Sequence, residues 1–120
     1  MDTGHAVAVR TAHQSRPGRQ AVVASDLANL RGPAHGTVTL PLRLYWSGPS
    51  PAFDLDEPDL CHWLYEIVLR EAAQPEELTT FLNADVLVSV WRDLYLPAGV
   101  RLAWEEHHPV LRAAAAPAVA

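Results

Sequence analysis

From Thr37 to Trp46 every second residue is apolar: Val38, Leu40, Leu42, Leu44 and Trp46. A period of two predicts a strand with one buried face. Pro41 falls in its middle. Proline has no amide hydrogen for a sheet ladder, so the strand is expected at a sheet edge or at a bulge. Ser47-Gly48-Pro49-Ser50-Pro51 reads as a turn-rich loop, and Phe53-Asp54-Leu55 alternates again as a short return strand. The expected unit is a hairpin whose outer edge is open to another chain.

Elsewhere the apolar spacing is three to four. Val22–Leu30 reads as a short helix stopped by Gly32-Pro33. Asp56-Glu57-Pro58-Asp59 is a helix start, with Asp56 as cap, proline in the first turn and acids at the positive helix end. From there to Ala73, Leu60, Trp63, Leu64, Ile67 and Val68 form an apolar stripe that Tyr65 and Leu69 widen. Gln74-Pro75-Glu76-Glu77 opens another helix. Ala84–Leu94 is helical by spacing, although its β-branched residues leave a strand over 86–91 open. A last helix runs from Pro97 to Pro109. The sum is an α+β fold, a mainly helical small domain with one β-hairpin. Residues 1–20 show no apolar period and read as a mobile leader, 21–112 as a single globular domain, and 113–120 as a flexible Ala-rich tail.

Composition narrows the function classes. The 120 residues suffice for one modest core, and no apolar run approaches a bilayer span. Met1-Asp2-Thr3-Gly4-His5 lacks the basic and apolar regions of a signal peptide, and one cysteine, Cys61, excludes an intrachain disulfide. Cytoplasmic residence is expected. All nine basic residues are arginine. Beyond residue 20, thirteen acids face six arginines, a balance of −7, and eight acids lie between Asp54 and Glu77 beside Arg70 alone. That charge disfavours a phosphate backbone as an unaided partner and favours a basic protein surface, while solvated helix faces account for the same acids.

Three constellations bear on chemistry. Glu105 and His108, with Cys61 or His62, offer metal-ligand types without any of the strong zinc spacings. Asp54, Asp56 and His62, with Ser47 and Ser50 upstream, offer acid–base or nucleophilic groups, but there is no Gly-x-Ser-x-Gly, phosphate loop or P-loop lysine. Residues 84–107 resemble a helix-turn-helix pair, whose second helix presents Arg101 opposed by Glu105 and Glu106. No catalytic residue, metal site or cofactor is therefore assigned, and no enzyme is expected. Trp63, Trp91 and Trp104 fall on apolar stripes and are expected in the core, with Tyr45 and Trp46 part-exposed at the strand end.

The wording Gly36-Thr37-Val38-Thr39-Leu40-Pro41-Leu42-Arg43-Leu44-Tyr45-Trp46, then Phe53-Asp54-Leu55-Asp56, Leu94-Tyr95-Leu96-Pro97, Trp104-Glu105-Glu106 and His108-Pro109-Val110-Leu111 resembles short actinobacterial proteins over residues 22–112. Some of these accompany abortive-infection-type nucleotidyltransferase toxins, so the resemblance implies an antitoxin or accessory role; it assigns no site residue. The expectation is a small cytoplasmic protein-binding module acting through the hairpin edge and an acidic helix face. Leu40, Leu42, Arg43, Tyr45, Trp46, Asp54 and Asp56 are the partner-binding residues, and the partner is another protein or a second copy. A DNA-binding regulator using 84–107 and a self-associating structural protein are the rival readings.

Overall fold

The computed structural model describes residues 7–116. Strands β1 (Ala8–Arg16) and β2 (Arg19–Ala24) form an antiparallel hairpin, and β3 (Thr37–Val38) and β4 (Phe53–Asp54) a second, minimal one. Five helices complete the fold: α1 (Pro58–Glu71), α2 (Pro75–Phe81), α3 (Ala84–Val90), α4 (Ala98–His107) and α5 (Pro109–Ala115). The architecture is the expected small α+β domain, with two hairpins rather than one. Among the described residues no helix is long and apolar enough to cross a membrane.

The largest departure from the sequence reading is the first hairpin. Residues 8–16 are a strand rather than a mobile leader, and Val22-Val23 lie in β2 rather than in a helix. The turn is Pro17-Gly18, with Gly18 at φ 80°. Proline followed by a positive-φ glycine is the chemistry of a tight turn. The inward positions of β1 are polar and bond to backbone: Thr11 Oγ1 donates to the Ala21 carbonyl at 3.1 Å and Ser15 Oγ to that of Arg19 at 3.4 Å. Helix α4 lies across β1 at Gly99, where a Cβ would overlap the Gln14 carbonyl, so only glycine allows this approach. Residues 1–6 of the expected leader lie outside the described residues.

The second departure is the alternating segment itself. Only Thr37 and Val38 are strand. Beyond them the amides of Leu44 and Tyr45 both donate to the Pro41 carbonyl at 3.0 Å, winding the chain into a helical turn. Residues 39–52 form a compact loop between two paired strands, an Ω-type arrangement. Leu40 and Leu44 are buried, but Leu42 is 70% and Trp46 69% exposed. Positions 40 and 44 satisfy a period of two and a period near four equally; 42 and 46 discriminate, and they point to solvent. The open strand edge expected here is therefore absent, replaced by a loop.

The helical part follows the sequence closely. α1 begins at Pro58 and is buried on several sides through Cys61, Leu64, Tyr65, Ile67, Val68 and Leu69. The Glu77 carboxylate accepts the amides of Ala73 and Gln74 at the start of α2. Asn83 caps α3 through the Val86 amide at 3.2 Å, and 84–90 is helix, not strand. Pro109 ends α4 and also opens α5, whose Leu111 is fully buried, so residues 109–115 are helical where a tail was expected from 113; residues 117–120 lie outside the described residues. Trp91 and Trp104 are core as expected, whereas Trp63 is 41% exposed.

Candidate interaction site

Trp63 owes its exposure to the cleft it lines. α1 supplies Trp63, Ile67 and Arg70 at helical spacing, Trp63 and Arg70 part-exposed and Ile67 buried, and the loop supplies Leu44, Tyr45, Trp46 and Ser47 opposite. Together they enclose about 190 Å³. The wall is stiff. Tyr45, Phe53 and Trp63 meet edge to face, with centroids 6.3 Å apart for Tyr45–Phe53, 6.1 Å for Tyr45–Trp63 and 5.2 Å for Phe53–Trp63. Such pairs favour this geometry over face-to-face stacking. Phe53 and Leu44 anchor the cluster in the core. Ser50 Oγ accepts the Leu40 amide at 2.9 Å and so fixes the other arm of the loop.

Arg43 is the loop's clamp. It donates from Nε to Glu77 Oε2 at 2.6 Å and from Nη2 to Oε1 at 2.9 Å, and Nη2 also reaches the Glu71 carbonyl. Burial pushes the Glu77 carboxyl up, but Arg43 and the Ala73 and Gln74 amides outweigh it and hold the group below the usual carboxylate range. Arg43 itself is held above its ordinary value by Glu77.

Next to the cleft lies a charge cluster. Glu71, only 4% exposed, is approached by Arg16 Nη2 at 3.2 Å, Arg19 Nη1 at 3.5 Å and Arg70 Nε at 3.1 Å. Arg19 Nη2 also donates to the Glu71 carbonyl at 2.5 Å. Three guanidinium groups thus share one carboxylate in a chain whose overall charge is −5. Arg70 belongs both to this cluster and to the cleft wall.

A second cleft of about 300 Å³ opens on the other end of α1, lined by Ala34, His35, Leu55, Asp56, Pro58, Cys61, His62, Val86, Ser89 and Val90. His35 Nδ1 and Asp56 Oδ1 are 2.7 Å apart, and Asp56 Oδ2 accepts the Gly36 amide at 3.3 Å. The His35 contact, then the Gly36 amide, hold the Asp56 carboxyl low. A His–Asp pair is a component of general-base sites, but no nucleophile here is activated. Burial, reinforced by the Asp56 charge, pushes the Cys61 thiol up, away from thiolate. Ser89 Oγ donates to the Val86 carbonyl at 2.7 Å.

Of the expected partner-binding residues, the structure brings Tyr45 and Trp46 into one cleft and leaves Leu42 exposed on the same loop. Leu40 is buried beneath it. Arg43 is engaged by Glu77 and the Glu71 carbonyl while its side chain stays part-exposed. Asp54 accepts the Asp56 amide at 2.9 Å, and Asp56 lines the other cleft instead of capping α1. The sequence reading missed Trp63 and Arg70 as wall residues. The signal was the spacing 63, 67, 70, in which Arg70 continues the row of Trp63 and Ile67 from the apolar stripe.

The other constellations are engaged internally. Glu105 accepts Trp91 Nε1 at 2.9 Å and pairs with Arg101, and His108 Nε2 donates to the Ala24 carbonyl at 2.6 Å. Among the described residues, no group of three or more His, Cys, Asp or Glu is arranged to hold a metal ion. Arg101 lies over the Trp91 ring at 4.9 Å and donates to the Trp91 and Leu94 carbonyls, facing the protein rather than outward as a base-reading arginine would. Comparison with family models, curated proteins and solved structures finds no match to this chain.

Proposed function

We propose that this chain is a small protein-binding module that docks another protein at the cleft formed by Tyr45, Trp46 and Trp63, with Leu42 beside it. The observation that carries this reading is the contrast within one loop. Leu40, Arg43, Leu44 and Ser50 are each held by burial or hydrogen bonds, yet the same loop leaves Leu42 and Trp46 largely in solvent. Aromatic side chains exposed together on a fixed frame are the usual anchors of an interface. The cleft is also smaller than the roughly 300–1,000 Å³ of small-molecule sites, which favours a side chain of a partner over a free ligand. An accessory or antitoxin role is the specific form this module takes if its partner is encoded nearby.

Co-expression of the tagged chain with the products of the genes flanking its own tests this reading. One product is expected to co-purify with the wild type and to be lost with Trp46→Ala, which removes an exposed side chain and leaves the fold intact. Equal recovery on both variants would move binding away from this cleft. Concentration-dependent sedimentation abolished by Trp46→Ala, with no second protein required, would establish the self-associating reading in its place.

A further inference from the structure

The geometry points to an acidic partner: a peptide segment that seats one aromatic or aliphatic side chain in the Tyr45–Trp46–Trp63 cleft and lays carboxylates on the arginines gathered at Glu71. This rests on the docking site proposed above and adds the chemistry of what docks there. It also reverses the expectation from composition, which was a basic partner.

The reversal comes from where the charges go. Of the acids between Asp54 and Glu77, Glu77 is held bidentately by Arg43, Asp56 faces His35, and Glu66 accepts the Tyr95 amide at 2.8 Å. Glu71 is covered by Arg16, Arg19 and Arg70. Beside the cleft, Glu71 and Glu77 are thus already matched by arginine, and Asp56 lines the other cleft. The arginines are in the opposite position. Arg16, Arg19 and Arg70 carry three positive charges against the single charge of Glu71, and Arg70 forms part of the cleft wall. Each guanidinium has five N–H donors, far more than the contacts to Glu71 use. Their side chains remain 48%, 23% and 39% exposed, so the unused donors face water. A carboxylate arriving there gains charge-assisted, planar hydrogen bonds of the kind arginine favours. The arginines are also pre-organised, because Glu71 already holds them in place, which lowers the ordering cost of binding.

The apolar and charged parts lie side by side, so a linear segment spans both. The cleft's volume of about 190 Å³ suits one large side chain, not a run of stacked bases. A single-stranded nucleic acid would need a continuous positive track, and here the arginines form one patch on a chain of charge −5.

Fluorescence anisotropy on the full chain provides the test. The probes are a dye-labelled peptide with one tryptophan flanked on both sides by glutamates, its lysine-flanked counterpart, and a labelled single-stranded oligonucleotide. The glutamate peptide is expected to bind saturably, to weaken as salt is raised, and to lose about tenfold in affinity on Trp46→Ala and again on Arg70→Gln. Arg70→Lys keeps the charge but loses the planar donor fork, and is expected to bind between the wild type and Arg70→Gln. Circular dichroism and the thermal midpoint of each variant verify that it is folded. A lysine peptide that binds as well as the glutamate peptide overturns the inference, as does an oligonucleotide that binds more tightly, or no saturable binding of the glutamate peptide up to about 1 mM. A partner lost with Trp46→Ala but unaffected by Arg70→Gln would leave the docking cleft standing and remove only its acidic ligand.

Discussion

α1 carries one cleft near each end, and the two teach opposite lessons about where function resides. The cleft of His35, Asp56, Cys61, His62 and Ser89 has the larger volume and nearly every side chain that bears chemistry. Its polar groups, however, are solvated or self-satisfied: the His35 side chain is 84% exposed, Ser89 is bonded to backbone, and the Cys61 thiol is kept protonated. The cleft of Tyr45, Trp46 and Trp63 is smaller and offers only the Ser47 hydroxyl with no acid or base in its wall beside it, but its frame is clamped by Arg43 and Ser50, and it adjoins the arginines at Glu71. Pre-organisation and exposed anchors, not an inventory of reactive residues, distinguish a recognition surface.

The sharpest way to break this comparison is to remove the acid at each cleft. Glu71→Gln takes a buried charge from three arginines and is expected to lower unfolding free energy by about 2–3 kcal/mol, read from denaturant titration. Asp56→Asn at the solvated pair is expected to leave the denaturation midpoint unchanged. Equal losses would mean that the two clefts are equally structured.

Acid titration is the next most decisive. Glu77 has its folded pKa below the ordinary 4.5, so its contribution is complete above that value and is lost as the pH falls further. Glu77→Gln is expected to remove about 1 kcal/mol at pH 7 and to flatten the fall in stability below pH 4.5. An unchanged acid limb would show that the Arg43 clamp contributes nothing to the fold.

Thiol labelling probes the second cleft. Cys61 is expected to react with a neutral thiol reagent at pH 8 about tenfold more slowly than a free cysteine, because burial both shields it and disfavours the thiolate. Labelling at the free rate would reopen that cleft as a reactive site.

The smallest effect is spectroscopic. Iodide is expected to quench Trp46 and Trp63 but not the buried Trp91 and Trp104, and to act more strongly than caesium ion because the nearby arginines attract it. Trp46→Ala should remove much of the quenchable emission while changing stability by less than about 0.5 kcal/mol.

Much of this fold was legible in the sequence, and the parts that were not share a cause. α1 announced itself through Pro58 in its first turn and its wide apolar stripe, and α2 and α3 through Pro75 and Asn83. β1 was invisible because Thr11, His13 and Ser15 point where apolar residues would mark a strand; their polar atoms reach Ala21 and Arg19 across the hairpin and Glu106 far along the chain, and no apolar period records such links. The alternating segment misled because the buried pair Leu40 and Leu44 fits two periods. Tyr45 and Trp46 were legible as part-exposed aromatics, and both line the cleft. Arg16 and Arg19 were not legible as neighbours of the site, since only the folded hairpin brings them to Glu71.

The division of labour inside the 39–52 loop has an evolutionary consequence. The residues that hold its shape, Leu40, Arg43, Leu44 and Ser50, are different from those that face outward, Leu42 and Trp46. If the proposed docking holds, substitution at 42 and 46 alters what the surface docks at little cost to folding, and these two positions are expected to be the most divergent part of an otherwise well-kept loop.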